Sequence, residues 1–130
     1  MLNFELVSPE RLLMSLEVES VVVPGVEGDF MVLPNHSPVM STIRPGIVTV
    51  AIGEGETKEM FVYGGFAEVT PTGLVILAEE ALSVADLDKA QLAQKIQNAK
   101  EDIEDAKTDE ELFVASEALA HFEAMHAAAS

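Results

Sequence analysis

Residues 24–46 constrain this chain more than any other stretch. They hold Pro24, Gly25, Gly28, Pro34, Pro38, Pro45 and Gly46, which is four of the six prolines and three of the eight glycines. Proline fixes φ and removes an amide donor, and glycine permits φ > 0. A segment so rich in both changes direction several times. Between the turns lies Phe30-Met31-Val32-Leu33, an apolar run short enough for a buried strand. The stretch therefore reads as turn, strand, turn, strand, turn, and a loop system this constrained serves to present groups to a partner.

The flanking sequence places that stretch in an all-β region covering residues 1–80. Phe4 and Leu6 flank Glu5, and Ser8-Pro9-Glu10 turns the chain. Leu12, Met14, Leu16 and Val18 then alternate with Leu13, Ser15, Glu17 and Glu19, a period of two. Val21-Val22-Val23 is read as extending that strand to a turn at Pro24-Gly25. Beyond Gly46, the run from Ile47 to Ile52 is β-branched and apolar, and Gly53-Glu54-Gly55-Glu56 is a hairpin connection to Met60-Phe61-Val62-Tyr63. Gly64-Gly65 marks a bulge or a close backbone approach. Phe66 to Thr70, the turn Pro71-Thr72-Gly73 and Leu74 to Ala78 close the β part. Short strands with turn signals roughly every 8–12 residues predict a sandwich or flattened barrel.

The composition shifts near Ala81. From Asp86 onward there is no Gly and no Pro, and Ala, Gln, Lys and Glu dominate. Leu92, Ile96, Ala99, Ile103 and Ala106 form one helical stripe; Leu112, Ala115, Leu119, Phe122 and His126 form another. Thr108 and Glu111 fit a capping box, and Asp86 or Ser83 is expected to cap the first helix. The short interval between the stripes favours antiparallel packing. No breaker lies between Glu104 and Lys107, so one long helix and two short ones both stay open. So do a mobile hairpin and a static one, because narrow Ala-rich stripes dock weakly. The fold class is thus α+β: an antiparallel β-sandwich over residues 1–84 and a two-helix hairpin over 85–130.

Charge and composition exclude several functions. A net charge of -16 repels nucleic acid and anionic membrane surfaces and favours a basic protein partner. Without cysteine there is no disulfide or thiolate chemistry. No apolar run approaches the roughly 18 residues of a spanning helix. The first residues lack both a secretory and a transit pattern, which points to a cytoplasmic or mature protein.

An enzyme needs convergent titratable groups. His121 and His126 are badly spaced for one metal on a helix face, and an i,i+4 pair of Glu117 with His121 explains them better. His36 has no nucleophile or carboxylate partner in any motif, so a structural role or partner contact fits it. Residues 24–29 lack the Gly-Lys-Ser/Thr ending of a phosphate loop and carry two carboxylates that repel phosphate. Glu79 and Glu80 are adjacent on an extended chain and point to opposite faces, so they read as a solvated strand end. The acid-rich block from Glu101 to Glu111 reads as a solvated helix junction, or as an attractor of an Arg- or Lys-rich surface.

The pattern Pro24-Gly25-x-x-Gly28-Asp29-Phe30-x-Val32-Leu33-Pro34-x-His36-x-Pro38, followed by Pro45-Gly46, resembles the signature of the epsilon subunit of F-type ATP synthases. So does Gly64-Gly65-Phe66-x-Glu68-Val69 with Val75-x-Leu77-Ala78-Glu79. The match spans residues 3–80 in order and spacing, and an acidic helical pair follows where the family has one. The resemblance implies a non-catalytic subunit in the central stalk, coupling the membrane-embedded c-subunit ring to the gamma subunit. It implies no cofactor, no membrane insertion, and a peripheral position on the cytoplasmic face of the bacterial inner membrane. The turn matching Glu27, Gly28 and Asp29 is expected to face the ring, with Asp29 pairing a basic side chain. The positions matching Ser8, His36 and Thr42 are expected to lie toward gamma.

The family's helices can also leave the sandwich, extend along gamma and block rotation against the alpha and beta subunits, and ATP favours the compact form. The nucleotide motif there reads Asp-x-x-Arg with a second arginine two turns on. Here Asp88 stands, but Gln91 and Gln97 occupy the arginine positions. A neutral amide cannot neutralise a triphosphate as a guanidinium does. Weak or absent nucleotide binding is therefore expected. From Asp86 onward there are eleven acidic residues and four lysines, so weak inhibition is expected too. The alternative from another class is a free-standing adapter or ligand-binding sandwich with a helical tail.

Overall fold

Alternating apolar side chains over the first 83 residues produce ten strands among the described residues of the computed structural model, which are 1–35 and 37–129. They are β1 (Leu2–Val7), β2 (Leu12–Val18), β3 (Ser20–Gly25), β4 (Gly28–Val32), β5 (Val39–Thr42), β6 (Gly46–Gly53), β7 (Glu56–Tyr63), β8 (Phe66–Val69), β9 (Gly73–Leu77) and β10 (Glu80–Ser83). One five-stranded sheet has the order β2-β1-β9-β8-β5 and the other β10-β7-β6-β3-β4. Pairing is antiparallel except between β1 and β9, which run parallel. Each hairpin stays within one sheet, and the chain changes sheet between hairpins. The strands stand as one compact unit, Met1–Ser83.

The inner faces follow the period of two. Leu2, Phe4 and Leu6 of β1, Leu74 and Ile76 of β9, Val21 and Val23 of β3, and Val48 and Val50 of β6 are all completely buried. Each such side chain contributes roughly 1.5–3 kcal/mol relative to exposure. The core contains no buried polar side chain among the described residues.

Four local expectations are corrected. Val21 to Val23 do not extend β2; they lie in β3, in the other sheet. The change shows in parity, because the inward residue is Val18 before Glu19 and Val21 after it. Pro24 and Gly25 are strand residues, and the turn is Val26-Glu27 between the paired Gly25 and Gly28. Proline is tolerated there because the β3–β6 ladder ends at Val22, so no ladder amide is missing. Glu80 begins a tenth strand, pairing with Tyr63 of β7. The first helix is capped by Asp88, not by Asp86 or Ser83; Val84–Asp86 is a single 3-10 turn. Gly64-Gly65 is a close approach at a sheet change. Gly65 has φ +103°, and a Cβ there would collide with the Leu77 carbonyl.

The second unit, Val84–Ser130, holds α1 (Lys89–Asp105) and α2 (Asp109–Ala128). There are therefore two helices, packed against each other. They are antiparallel: the Lys95 ammonium near the start of α1 lies 5.6 Å from the Phe122 ring centroid near the end of α2. The break needs no Gly or Pro because capping supplies it. Thr108 Oγ1 accepts the Glu111 amide at 3.1 Å, and Glu111 Oε2 accepts the Lys107 amide at 2.8 Å. Leu92, Ala99, Ala115, Met125 and Ala128 are the buried side chains among the described residues of this unit.

Gly65→Ala should destabilise the protein by more than about 4 kcal/mol or abolish folding, since backbone collision adds to an unfavourable φ. Gly55→Ala at φ +81°, with open space around it, should cost only about 1–2 kcal/mol. Urea unfolding followed by circular dichroism measures both.

Candidate functional site

The β3–β4 turn and the segment after β5 are welded by backbone hydrogen bonds. The Val26 amide donates to the Thr42 carbonyl at 3.1 Å, and the Arg44 amide donates to the Pro24 carbonyl at 2.9 Å. Between them the Ile43 amide donates to Gly65 at 3.0 Å, and the Ile43 side chain is buried. Gly25 is needed beneath the turn, where a Cβ would sit 2.8 Å from the Gly28 carbonyl oxygen and 3.0 Å from the Phe30 ring.

Beside this weld, the edge strands β4 and β5 border a shallow groove of about 620 Å³. One wall is Glu27, Gly28, Asp29 and Phe30; the other is Ser37 to Ser41. The three positions expected to face a ring are thus brought together. Asp29 Oδ1 accepts from Arg44 Nη2, and both side chains remain about half exposed. Such a pair contributes at most about 1 kcal/mol, but it occupies the Asp29 carboxylate and fixes the turn. His36 lies outside the described residues.

Thr42 and Ser8 lie at the same end of the first sheet. Ser8 sits in the β1–β2 turn, where its hydroxyl donates to the Arg11 carbonyl at 3.2 Å and accepts the Arg11 amide at 3.3 Å. Three strand spacings, about 14 Å, separate β1 from β5. A cross-strand row joins them: Thr42 opposes Phe66, Phe66 opposes Leu77, and Leu77 pairs with Val7. This row lies on the outer face, where Phe66 is 40% and the neighbouring Met40 62% exposed. Large apolar side chains exposed near one another are a partner signal. The motif reading missed Phe66 and Met40 as surface residues. The available signal was parity, since Phe66 shares its face with Glu68.

In the helical unit, Asp88 Oδ1 accepts the Gln91 amide at 3.1 Å. Asp88 is thus engaged as an N-cap, and Gln91 and Gln97 are exposed. The His121 and Phe122 rings stack with centroids 5.9 Å apart.

The chain is thus a two-sheet sandwich with exposed Phe66 and Met40 and an acidic turn, followed by a capped helical pair. Comparison with known proteins makes the class specific. Residues 1–84 match the family described as ATP synthase, Delta/Epsilon chain, beta-sandwich domain. The ATP synthase epsilon chain of Maricaulis maris is 55% identical over 129 residues, covering 99% of this chain and 96% of that one. That of Mesorhizobium japonicum is 56% identical over 108 residues, covering 83% and 80%. The fold is shared with a chain in the Euglena gracilis mitochondrial ATP synthase, with a TM-score of 0.85 at 24% identity, covering 99% of this chain and 81% of that chain. The chain belongs to the ATP synthase epsilon family. It is accordingly a non-catalytic subunit of an enzyme complex.

Asp88→Ala should lower the stability of the helical unit by about 1 kcal/mol, whereas Asp88→Asn, which keeps a capping oxygen, should change it by only a few tenths. Thermal unfolding read by helical circular dichroism distinguishes the two.

Proposed function

We propose that this chain is the central-stalk subunit that couples the c-subunit ring to the gamma subunit in a bacterial F-type ATP synthase. The observation that carries the reading is the pairing of an outward row, Thr42–Phe66–Leu77–Val7, apolar but for Thr42, with an acidic turn at Glu27–Asp29. The row, with Ser8 at its margin, is assigned to gamma, and so is His36 on the resemblance alone. The turn is assigned to the ring. With Asp29 paired to Arg44, Glu27 is the carboxylate left to meet a basic ring loop, and the Asp29–Arg44 pair holds the turn in place.

The role is mechanical. Torque passes through a body that does not deform, and the close-packed two-sheet core supplies that stiffness. No helix among the described residues is long and apolar enough to cross a membrane. The subunit is placed peripherally, on the cytoplasmic face of the inner membrane, through its partners. The helical unit is assigned a regulatory role with weak inhibition, its contacts with alpha and beta limited by its acidic charge. Gln91 and Gln97 supply no cation for a triphosphate, so nucleotide affinity is low.

Phe66→Asp should weaken binding to purified gamma at least about tenfold while leaving the sandwich folded. Unchanged co-purification with gamma would remove the assignment of this face. Truncation after Ala85 should leave ATP hydrolysis by the reconstituted complex nearly unchanged; a several-fold rise would show strong inhibition by the helices. Titration calorimetry should detect no micromolar ATP binding to the full chain.

A further inference from the structure

The connected end of the helical hairpin carries a surface apart from the residues assigned above to the ring and to gamma. A groove of about 700 Å³ opens there between α1 and α2. Val114 and Ala118 of α2 supply apolar lining, and Asp102, Asp105 and Glu110 supply acidic rim from both helices. Val114, which lines the groove, is 61% exposed, and the preceding Leu112 and Phe113, outside its lining, are 43% and 65% exposed. Three consecutive exposed apolar residues are unfavourable on a surface that stays bare.

The charges beside the groove are also unfavourable for the free protein. The last turn of α1 holds no basic residue, yet Asp102, Glu104 and Asp105 lie near its negative dipole end. They approach Asp109, Glu110 and Glu111 in the first turn of α2. Like charges at this spacing repel. A cationic occupant reverses both costs, because it covers the apolar floor and neutralises the rim.

We infer that this groove docks a Lys- or Arg-bearing amphipathic helix of another protein, completing a three-helix arrangement. Charge selects that occupant. With a net charge of -16, a second copy of this chain, a nucleic acid or an anionic lipid meets like charge. The small residues Ala115 and Ala118 leave room for a helix to approach closely. The site exists only while the hairpin is folded, since its acidic rim is drawn from both helices. A bound basic helix therefore holds the hairpin closed by mass action.

The test uses the full chain and a fluorescein-labelled peptide of about 18 residues, long enough for five helical turns, with Leu on one face and Lys on the other. Anisotropy should show saturable one-to-one binding, and the same peptide with Glu for Lys should not bind. Asp102→Asn/Asp105→Asn should weaken binding by about tenfold and, in the free protein, raise the unfolding midpoint by a few degrees. Val114→Ser should weaken binding without changing net charge. Glu54→Gln/Glu56→Gln removes the same charge from the β6–β7 turn and should leave affinity unchanged. Amide NMR shifts in the unmodified chain should map to Val114, Ala115 and Ala118, a readout independent of how any variant folds. Equal weakening by both double variants, shifts mapping elsewhere, or no saturation would overturn the proposal. Self-association abolished by Val114→Ser would assign the groove to a second copy and overturn it as well.

Discussion

Residues 42–44 serve both sheets at once, and the shape of the sandwich depends on that. The Ile43 amide bonds to Gly65, beside β8 of the first sheet, and the Arg44 amide bonds to Pro24, in β3 of the second. A segment whose successive amides belong to different sheets fixes their separation and alignment through backbone geometry. The buried Ile43 side chain fills the space so defined. This crossing explains the density of proline and glycine around it. Pro24 brings a carbonyl but no amide to a place where the ladder has ended. Gly25 and Gly65 let carbonyls approach where a Cβ would not fit.

The same crossing gives the functional rim its stiffness. The Glu27–Asp29 turn hangs from Val26, which bonds to Thr42, so the acidic turn cannot shift relative to β5 without breaking a backbone bond. The Asp29–Arg44 pair closes the arrangement from the side chains. Acidic turn and apolar row are therefore one rigid element with two faces, as a part that passes torque between two partners requires. The helical unit is built differently. Among its described residues, three of the five buried side chains are alanines, so little apolar area resists opening. The sandwich is held by a large aliphatic core, and the hairpin by a small one.

Much of this was legible in the sequence because the governing rules are local. Strand alternation, the Gly53–Glu56 hairpin, the Thr108–Glu111 capping box and the epsilon-type motifs all appear in contiguous residues. What escaped depends on distant partners. The sheet change at Glu19 leaves only a switch of parity. β10 is four residues long and exists because β7 offers an edge at Met60 to Tyr63. Asp29 meets an arginine fifteen positions away. The Asp88 cap was hidden because Val84–Asp86 winds a separate turn first. Phe66 and Met40 have core chemistry on an outer face, and composition cannot distinguish the two.

Asp88 bears on what kind of signal this hairpin can obey. Its carboxylate is explained by the bond it accepts from the Gln91 amide, so its presence needs no nucleotide. A ligand moves a conformational equilibrium only by the difference between its affinities for the two states. A triphosphate meeting Gln91 and Gln97 finds no cation in either, so on the proposed reading it has little difference to apply. A cationic helix spanning α1 and α2 gains its contacts only in the folded hairpin, where Asp102, Asp105 and Val114 lie around one groove. With amides at Gln91 and Gln97 and carboxylates concentrated at the other end of the hairpin, the proposed control lies with a basic protein segment rather than a small anion.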